Sequence, residues 1–139
     1  MAALRSHLEF RSDAFPARPG EEGVINPGRW GAALADYLTT ALAARGFTST
    51  GVYAEDWGYR VDLENPAFRL WLGCGNYEEY PGGFLCFIEP SKPYIRRWLR
   101  KVDTTARVNA LADALETVLL ANPRVRELRW WSDSKAPSG

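Results

Sequence analysis

Hydrophobic and polar residues alternate with two different periods along this chain, and these periods predict its secondary structure. Apolar residues recur at every second position in Leu8–Phe10, Tyr59–Leu63 and Phe68–Leu72, as in a strand with one buried face. They recur at every third or fourth position in Trp30–Leu42 and Val108–Leu119, as in an amphipathic helix. Runs of β-branched and aromatic residues predict further strands at Thr48–Ala54, Phe84–Ile88 and Val125–Trp131.

Start and stop signals frame the two predicted helices. Asn26-Pro27 should open the first helix, because Asn is a preferred N-cap and Pro suits the first helical position. Gly46 should end this helix in a left-handed conformation. Asp103 should cap the second helix, and Asn122-Pro123 should stop it.

Two connecting segments have weaker patterns. Pro16–Ile25 is rich in Pro, Gly and Glu and is predicted to be a mobile connection. In Tyr94–Lys101 the apolar residues are spaced as in one or two turns of an amphipathic helix, with the basic residues on its solvated side.

These elements predict one α+β domain over residues 1–133, followed by a frayed tail over residues 134–139. The predicted order is β-α-β-β-β-α-β, in which three consecutive strands form an antiparallel meander; Thr48–Ala54 is a further strand candidate. Each long helix has one apolar stripe, so both should cover the same face of a mainly antiparallel sheet, as in a two-layer sandwich. Phe84–Ile88 is apolar on both sides, which indicates an interior strand covered on both faces. The second face of the sheet should be partly open, with Trp71 and either Trp130 or Trp131 on it.

Composition and charge narrow the classes of function. The chain has no formal net charge, which removes overall electrostatic attraction to nucleic acid or a membrane. It lacks a bilayer-spanning apolar run, a signal-peptide pattern and a disulfide framework, so we expect a cytoplasmic protein with free thiols. The charge is uneven, because Gly51–Pro90 has seven acids and two bases whereas Ser91–Trp131 has nine bases and four acids. These segments should form an acidic and a basic face, or two solvated surfaces whose charges partly pair.

Two short motifs lie at the ends of a predicted hairpin. Glu55, Asp56 and Trp57 fit a tight turn, a loop that binds a partner or ligand, or a general acid beside an indole, in decreasing order of preference. Gly73–Asn76 (G-C-G-N) fits either a cradle of backbone amides or a close approach of strands, with Cys74 as a small core residue. Its G-x-G lacks the third glycine and opens no helix, so it is not a dinucleotide-binding fingerprint.

Other candidate chemistry is sparse. His7 is the only histidine, Cys74 and Cys86 lack metal-ligand spacing, and hydrolase, P-loop and calcium-loop motifs are absent, so we expect no metal and no cofactor. Pairs of carboxylates in the hairpin loops leave glycosidase-type catalysis open. Arg96–Lys101 around Trp98 has the residue types of a phosphate-binding cluster, but the zero net charge favours a solvated helix side.

Four motifs carry a resemblance to a family of small bacterial proteins with no assigned activity. They are N-P-G-R-W-G-x-x-L-A-x-x-L at Asn26–Leu38, E-D-W-G-Y at Glu55–Tyr59, L-W-L-G-C-G-N at Leu70–Asn76 and K-V-D at Lys101–Asp103. The resemblance spans Asn26 to Trp131. It implies a bacterial cytosolic setting and supplies no catalytic residues.

The sequence therefore favours a non-enzymatic protein-binding module, which docks a partner through the open sheet face and the hairpin-end loops. An immunity-like protein that blocks a toxin is one concrete form, and a homodimer is another. The alternatives are a small-molecule binder or enzyme with a carboxylate pocket at the hairpin ends, and nucleic-acid binding through Arg96–Lys101 and Arg124–Arg129; we do not expect a membrane partner. The candidate binding residues are Glu55, Asp56, Trp57, Trp71, Cys74, Asn76, Trp130 and Trp131.

Overall fold

The computed structural model describes residues 5–77 and 81–131. The strands are β1 (His7–Ser12), β2 (Ser49–Glu55), β3 (Gly58–Leu63), β4 (Leu70–Asn76), β5 (Gly83–Glu89), β6 (Tyr94–Arg97), β7 (Arg100–Asp103) and β8 (Val125–Trp131). The helices are α1 (Glu21–Val24), α2 (Ala32–Ala43) and α3 (Thr105–Leu120). The predicted tail over residues 134–139 lies outside the described residues.

The main sheet has six strands in the order β2-β3-β4-β5-β1-β8, and every neighbouring pair is antiparallel. The predicted α+β fold with a mainly antiparallel sheet is therefore confirmed. Four strands rather than three form the meander, because the further candidate Thr48–Ala54 becomes β2 and pairs with β3.

The core lies between one face of this sheet and the two long helices. Val61, Leu72 and Ile88 face each other across β3, β4 and β5, and all three are fully buried. These strand residues and the buried residues of α2 and α3, such as Leu38 and Leu115, belong to a single hydrophobic cluster. Both long helices therefore cover the same sheet face, as their single apolar stripes predicted. Side chains at the intervening strand positions point to the opposite face.

The predicted start of the first long helix is wrong. Asn26-Pro27 lies in a turn closed by a bridge between Asn26 and Arg29, and α2 begins at Ala32. The Asn26 amide donates to the carbonyl of Asp56 instead of capping the helix. The cap comes from the side chain of Glu21, within the segment predicted to be a mobile connection, which instead contains helix α1.

The predicted helix over Tyr94–Lys101 is also wrong, because this segment forms the separate two-stranded sheet β6–β7. Ile95 pairs with Val102 across the two strands, and both pack against the core. This cross-strand pair of β-branched residues anchors a hairpin, whereas a helix would have put Trp98 beside Ile95 on a buried face. Trp98 lies in the connecting turn instead.

Candidate functional site

The sheet face opposite the two long helices, here called the outer face, carries the best candidate site. Its central row runs across five strands, because Arg60 pairs with Gly73, Gly73 with Phe87, Phe87 with His7 and His7 with Trp131. Strand order alone brings these residues together, since they come from distant parts of the chain.

Aromatic rings form a continuous band on this face. Ring centroids of Trp71 and Phe87 are 5.6 Å apart, those of Phe87 and His7 5.8 Å, and those of His7 and Trp131 4.5 Å. Trp57 joins the band from the β2–β3 turn, with its ring 5.0 Å from Phe87 and 6.4 Å from Trp71. We call these five residues the aromatic band. Such contacts suit offset and edge-to-face packing. The four apolar rings are half-buried, whereas His7 is buried, at 8% exposed.

Of the three tryptophans considered for the open face, two lie on it and one lies on the helix side of the sheet. Trp71 and Trp131 lie on the outer face. Trp130 lies on the helix side, where it packs against the core and its indole N–H donates to Glu116 at 2.8 Å. Trp130 therefore does not reach the aromatic band.

The unusual glycines of β4 provide room for this band. A Cβ on Gly73 would lie 2.3 Å from the ring of Phe87, so the ring occupies the space that a side chain would take. A Cβ on Gly75 would lie 2.8 Å from the backbone oxygen of Trp57. Gly58 has φ 152° and would bring a Cβ within 2.5 Å of the Cys74 carbonyl. The G-C-G motif is thus a close approach of backbone and rings, the second of the two structures that the sequence allowed.

Glu55 and Asp56 lie beside the band but do not form an isolated acid. Glu55 accepts a hydrogen bond from Arg60 at 2.9 Å, and Arg60 also donates to Asp62 at 3.0 Å. The guanidinium of Arg60 lies 4.6 Å above the ring of Tyr53. Asp56 is exposed in the turn. Glu55 and Asp56 therefore form a charged rim beside the aromatic band, in which Glu55 belongs to an ion pair at the surface.

Cys74 and Asn76 are buried parts of the fold and not surface groups. Cys74 faces Cys86 in the core, both are free thiols, and burial raises the pKa of Cys74 to about 12 and that of Cys86 well above its ordinary value. His7 lies on the opposite sheet face, so the two form no nucleophile–base pair. Asn76 accepts from the backbone N–H of Trp30 at 2.9 Å and donates to the Gly28 carbonyl at 2.8 Å, which fixes the loop before α2.

A shallow cavity of about 240 Å³ opens at the edge of the aromatic band. It does not bring Glu55, Asp56 or Cys74 together. Its lining residues are Arg29, Trp57, Gly75, Asn76, Tyr77, Leu85 and Phe87.

Sequence reasoning missed two polar residues of the outer face. His7 is stacked within the band, and its Nδ1 lies 2.8 Å from the hydroxyl of Ser6. Glu9 is only 1% exposed, accepts a hydrogen bond from Arg129, and has a buried Oε2 with no hydrogen-bond partner. The alternation of polar residues in β1 marks both for the outer face, but only the strand order places them on an interior strand, between β5 and β8.

Within residues 5–77 and 81–131, no three His, Cys, Asp or Glu side chains are grouped as metal ligands. The helices described in those ranges are too short or too polar to cross a membrane. Comparison with protein-family models, curated proteins and solved structures gives no match for this chain.

Proposed function

We propose that this chain is a non-enzymatic protein-binding module of the bacterial cytosol, and that the outer face docks its partner. The observation that carries the proposal is the aromatic band, which runs without interruption from Trp71 on β4 to Trp131 on β8. Trp residues flanked by Arg are the side chains most often found at the energetic centres of protein interfaces.

The rim of the band favours a partner with a basic surface. On the β2–β4 side, Arg60 stands between Glu55 and Asp62, and Arg69 also approaches Asp62 at 3.8 Å. With the exposed Asp56, three acids face two bases there. The segment Gly51–Pro90 as a whole carries about five more acids than bases. A partner with apolar side chains at its centre and Lys or Arg around them would match both features. An immunity-like protein that blocks a basic toxin is one concrete form, and a homodimer through the same face is another.

The small-molecule alternative has weaker support. The cavity beside Trp57 measures about 240 Å³, whereas sites for drug-sized ligands usually occupy about 300–1,000 Å³. The carboxylates that would have served an enzyme are tied to Arg60 and lie outside that cavity.

The nucleic-acid alternative would need one continuous basic surface. Arg124 and Arg126 lie where β8 begins, beside the end of β1, since Val125 pairs with Ser12. Arg96–Lys101 follows the end of β5, which lies beside the start of β1 because Phe87 pairs with His7. The two basic segments are therefore at opposite ends of the sheet.

Binding of a protein encoded by a neighbouring gene would test the proposal. Trp57→Ala and Trp71→Ala should each weaken the affinity by about tenfold or more, because each removes a central aromatic contact. Trp98→Ala, which removes an exposed indole from another surface, is the matched control and should leave the affinity unchanged. Equal affinity for all variants, or a monomer that binds no neighbouring gene product, would overturn the proposal.

A further inference from the structure

The hairpin β6–β7 is a second surface feature, separate from the outer face. Its strands are joined by a two-residue turn, Trp98-Leu99, in which the side chains are 90% and 85% exposed. Exposed apolar residues are common singly, but two adjacent large ones at the tip of a projecting hairpin are not. We call Tyr94–Asp103 the basic prong.

The prong is anchored to the rest of the domain both at its base and beside its tip. Ile95 and Val102 pack against the core, and the backbone N–H of Thr104 donates to the Pro93 carbonyl at 3.0 Å. Arg97 donates to the Ala67 carbonyl at 2.8 Å. The exposed tip is therefore the end of an anchored element and not a loose loop.

Part of the sequence of the prong opposes its conformation, although the Lys101 ammonium lies 4.1 Å over the ring of Tyr94. Arg97 pairs with Arg100 and Arg96 pairs with Lys101, so like charges face each other at two successive positions. Trp98 has φ 61°, at the turn position where glycine is normally required. Glycine at position 98 would relieve the backbone strain, and uncharged residues in the two cross-strand pairs would relieve the repulsion. The Trp98 and Leu99 side chains contribute almost no packing to the fold, since they are 90% and 85% exposed.

We propose that the basic prong docks the protein on an anionic lipid bilayer, with Trp98 and Leu99 at the boundary between headgroups and acyl chains. Successive strand residues rise by about 3.3 Å, so the two layers of cations lie roughly 3 and 7 Å behind the tip. The headgroup region of one leaflet is about 5–8 Å thick. A tip at the acyl boundary therefore puts Arg100 of the nearer layer, and Arg96 and Lys101 of the farther layer, among the lipid phosphates, while Arg97 stays on the Ala67 carbonyl.

The residue types distinguish this partner from other polyanions. Trp prefers the membrane interface, and Arg and Lys keep their charges at the headgroups while their stems cross apolar surroundings. A single-stranded nucleic acid would favour a second stacking ring beside Trp98, but Leu99 has no π face. The binding would be peripheral and reversible, because only two apolar side chains enter the bilayer.

Co-sedimentation of the full chain with vesicles tests the proposal. We expect binding to phosphatidylcholine vesicles that contain about one-third phosphatidylserine, and little binding to phosphatidylcholine alone. The double variant Trp98→Ser with Leu99→Ser should lower the partition coefficient by about tenfold or more. The double variant Arg96→Gln with Arg100→Gln should also lower it by about tenfold or more, because each lost cation weakens binding roughly fivefold.

Matched controls come from other surfaces. Val24→Ser with Leu120→Ser removes two side chains that are 69% and 58% exposed, and Arg45→Gln with Arg126→Gln removes two charges elsewhere. Both double variants should bind the anionic vesicles like the natural chain. A second measurement covers the case in which a prong variant fails to fold. Brominated phospholipids should quench the tryptophan fluorescence of the natural chain, and they should quench that of Trp98→Phe less.

Three results would overturn the proposal. They are no binding to anionic vesicles, equal binding by the prong and control variants, and displacement from vesicles by a polyglutamate peptide or a single-stranded oligonucleotide at lower concentration than by anionic lipid. None of them would affect the outer face, whose test depends on Trp57 and Trp71.

Discussion

Replacement of Glu21 by alanine should destabilise the fold far more than replacement of its neighbour Glu22. Glu21 is 5% exposed, and its Oε2 accepts hydrogen bonds from the backbone N–H groups of Gly31 and Ala32, at 2.7 Å each. Its Oε1 accepts from the N–H of Arg18 at 2.9 Å. One side chain thus satisfies donors at the start of α2 and fixes the preceding loop on the helix.

The size of the effect follows from what the three donors would meet without Glu21. The N–H of Gly31 lies in a buried residue, so its lost partner costs about 1–3 kcal/mol. Arg18 is exposed and Ala32 half-buried, so water can replace part of their bonds. Loss of a helix cap typically costs about 1 kcal/mol. We therefore expect Glu21→Ala to lower the free energy of unfolding by about 3 kcal/mol, a large share of the stability of a domain of this size.

Urea denaturation followed by tryptophan fluorescence would measure this loss, provided that the m-value is unchanged. Glu22→Ala is the matched control, because it removes the same charge from the neighbouring residue. The Glu22 side chain is exposed and accepts a single hydrogen bond, from the N–H of Gly28 at 2.7 Å. It should cost about 1 kcal/mol or less. Glu21→Gln should lie between the two, since it keeps an acceptor oxygen and loses the charge.

The refuting result is equally definite. If Asn26 capped the helix, as the sequence pattern predicted, Asn26→Ala would cost about 1–2 kcal/mol and Glu21→Ala would behave like Glu22→Ala. In the structure Asn26 is exposed and donates one side-chain bond, at 3.2 Å, to Asp56. A larger loss for Asn26→Ala than for Glu21→Ala would show that the assigned helix start is wrong.

Two further predictions concern the core and the aromatic band. Burial raises the thiol pKa of Cys74 to about 12 and that of Cys86 well above its ordinary value, so both stabilise the fold fully below about pH 8.5. The contribution of Cys74 should be lost as the pH rises from about 8.5 towards 12, by about 1.4 kcal/mol per pH unit, and that of Cys86 should change in the same direction. Denaturation at a series of pH values should give a flatter curve for Cys74→Ala with Cys86→Ala, and parallel curves would contradict the assignment. Gly73→Ala should cost about 2 kcal/mol and change the near-UV circular dichroism, because its Cβ would displace the ring of Phe87. Gly23→Ala, in a helix with open space at that position, should be neutral or stabilising in the same assay.

Local sequence signals were sufficient where one stretch of chain determines its own structure. Gly46 ends α2 with φ 89°, and the N–H of Phe47 donates back to the carbonyl of Leu42 at 3.0 Å, as the predicted stop signal requires. The α3 helix ends at Leu120, just before Asn122-Pro123. The N-cap of α3 is Thr104, one residue after the predicted Asp103, whose carboxylate accepts from the N–H of Thr105 at 2.7 Å. Hydrogen bonds from the side chain and then the backbone of Thr105 lower the pKa of the Asp103 carboxyl group.

The errors occurred where a distant residue decides the outcome. The cap of α2 is supplied by Glu21, ten positions before Gly31. No local pattern could reveal this contact. The strand β6 depends likewise on the pairing of Ile95 with Val102, on the other side of the turn. Periodicity alone cannot separate such a short strand from one turn of helix.

The candidate site was predictable only in part for the same reason. Trp130 and Trp131 are adjacent, so one of them had to face outward. Pairing of β1 with β8 shifts register between Glu9 and Arg11, and it is Trp131 that lies opposite His7. The role of His7 depends on β1 lying between β5 and β8, which the sequence of β1 does not encode.

The zero net charge of the chain does not describe the electrostatic potential near the basic prong. Elsewhere opposite charges are close together: Arg60 pairs with Glu55, and Arg124 pairs with Asp13. Within residues 5–77 and 81–131, Arg96 and Arg100 have no such ion-pair partner. Exposed charges are screened beyond about 8–10 Å at physiological salt, so a bilayer near the prong responds to the local cations and not to the total. The total charge therefore does not describe the electrostatic potential at this end of the molecule.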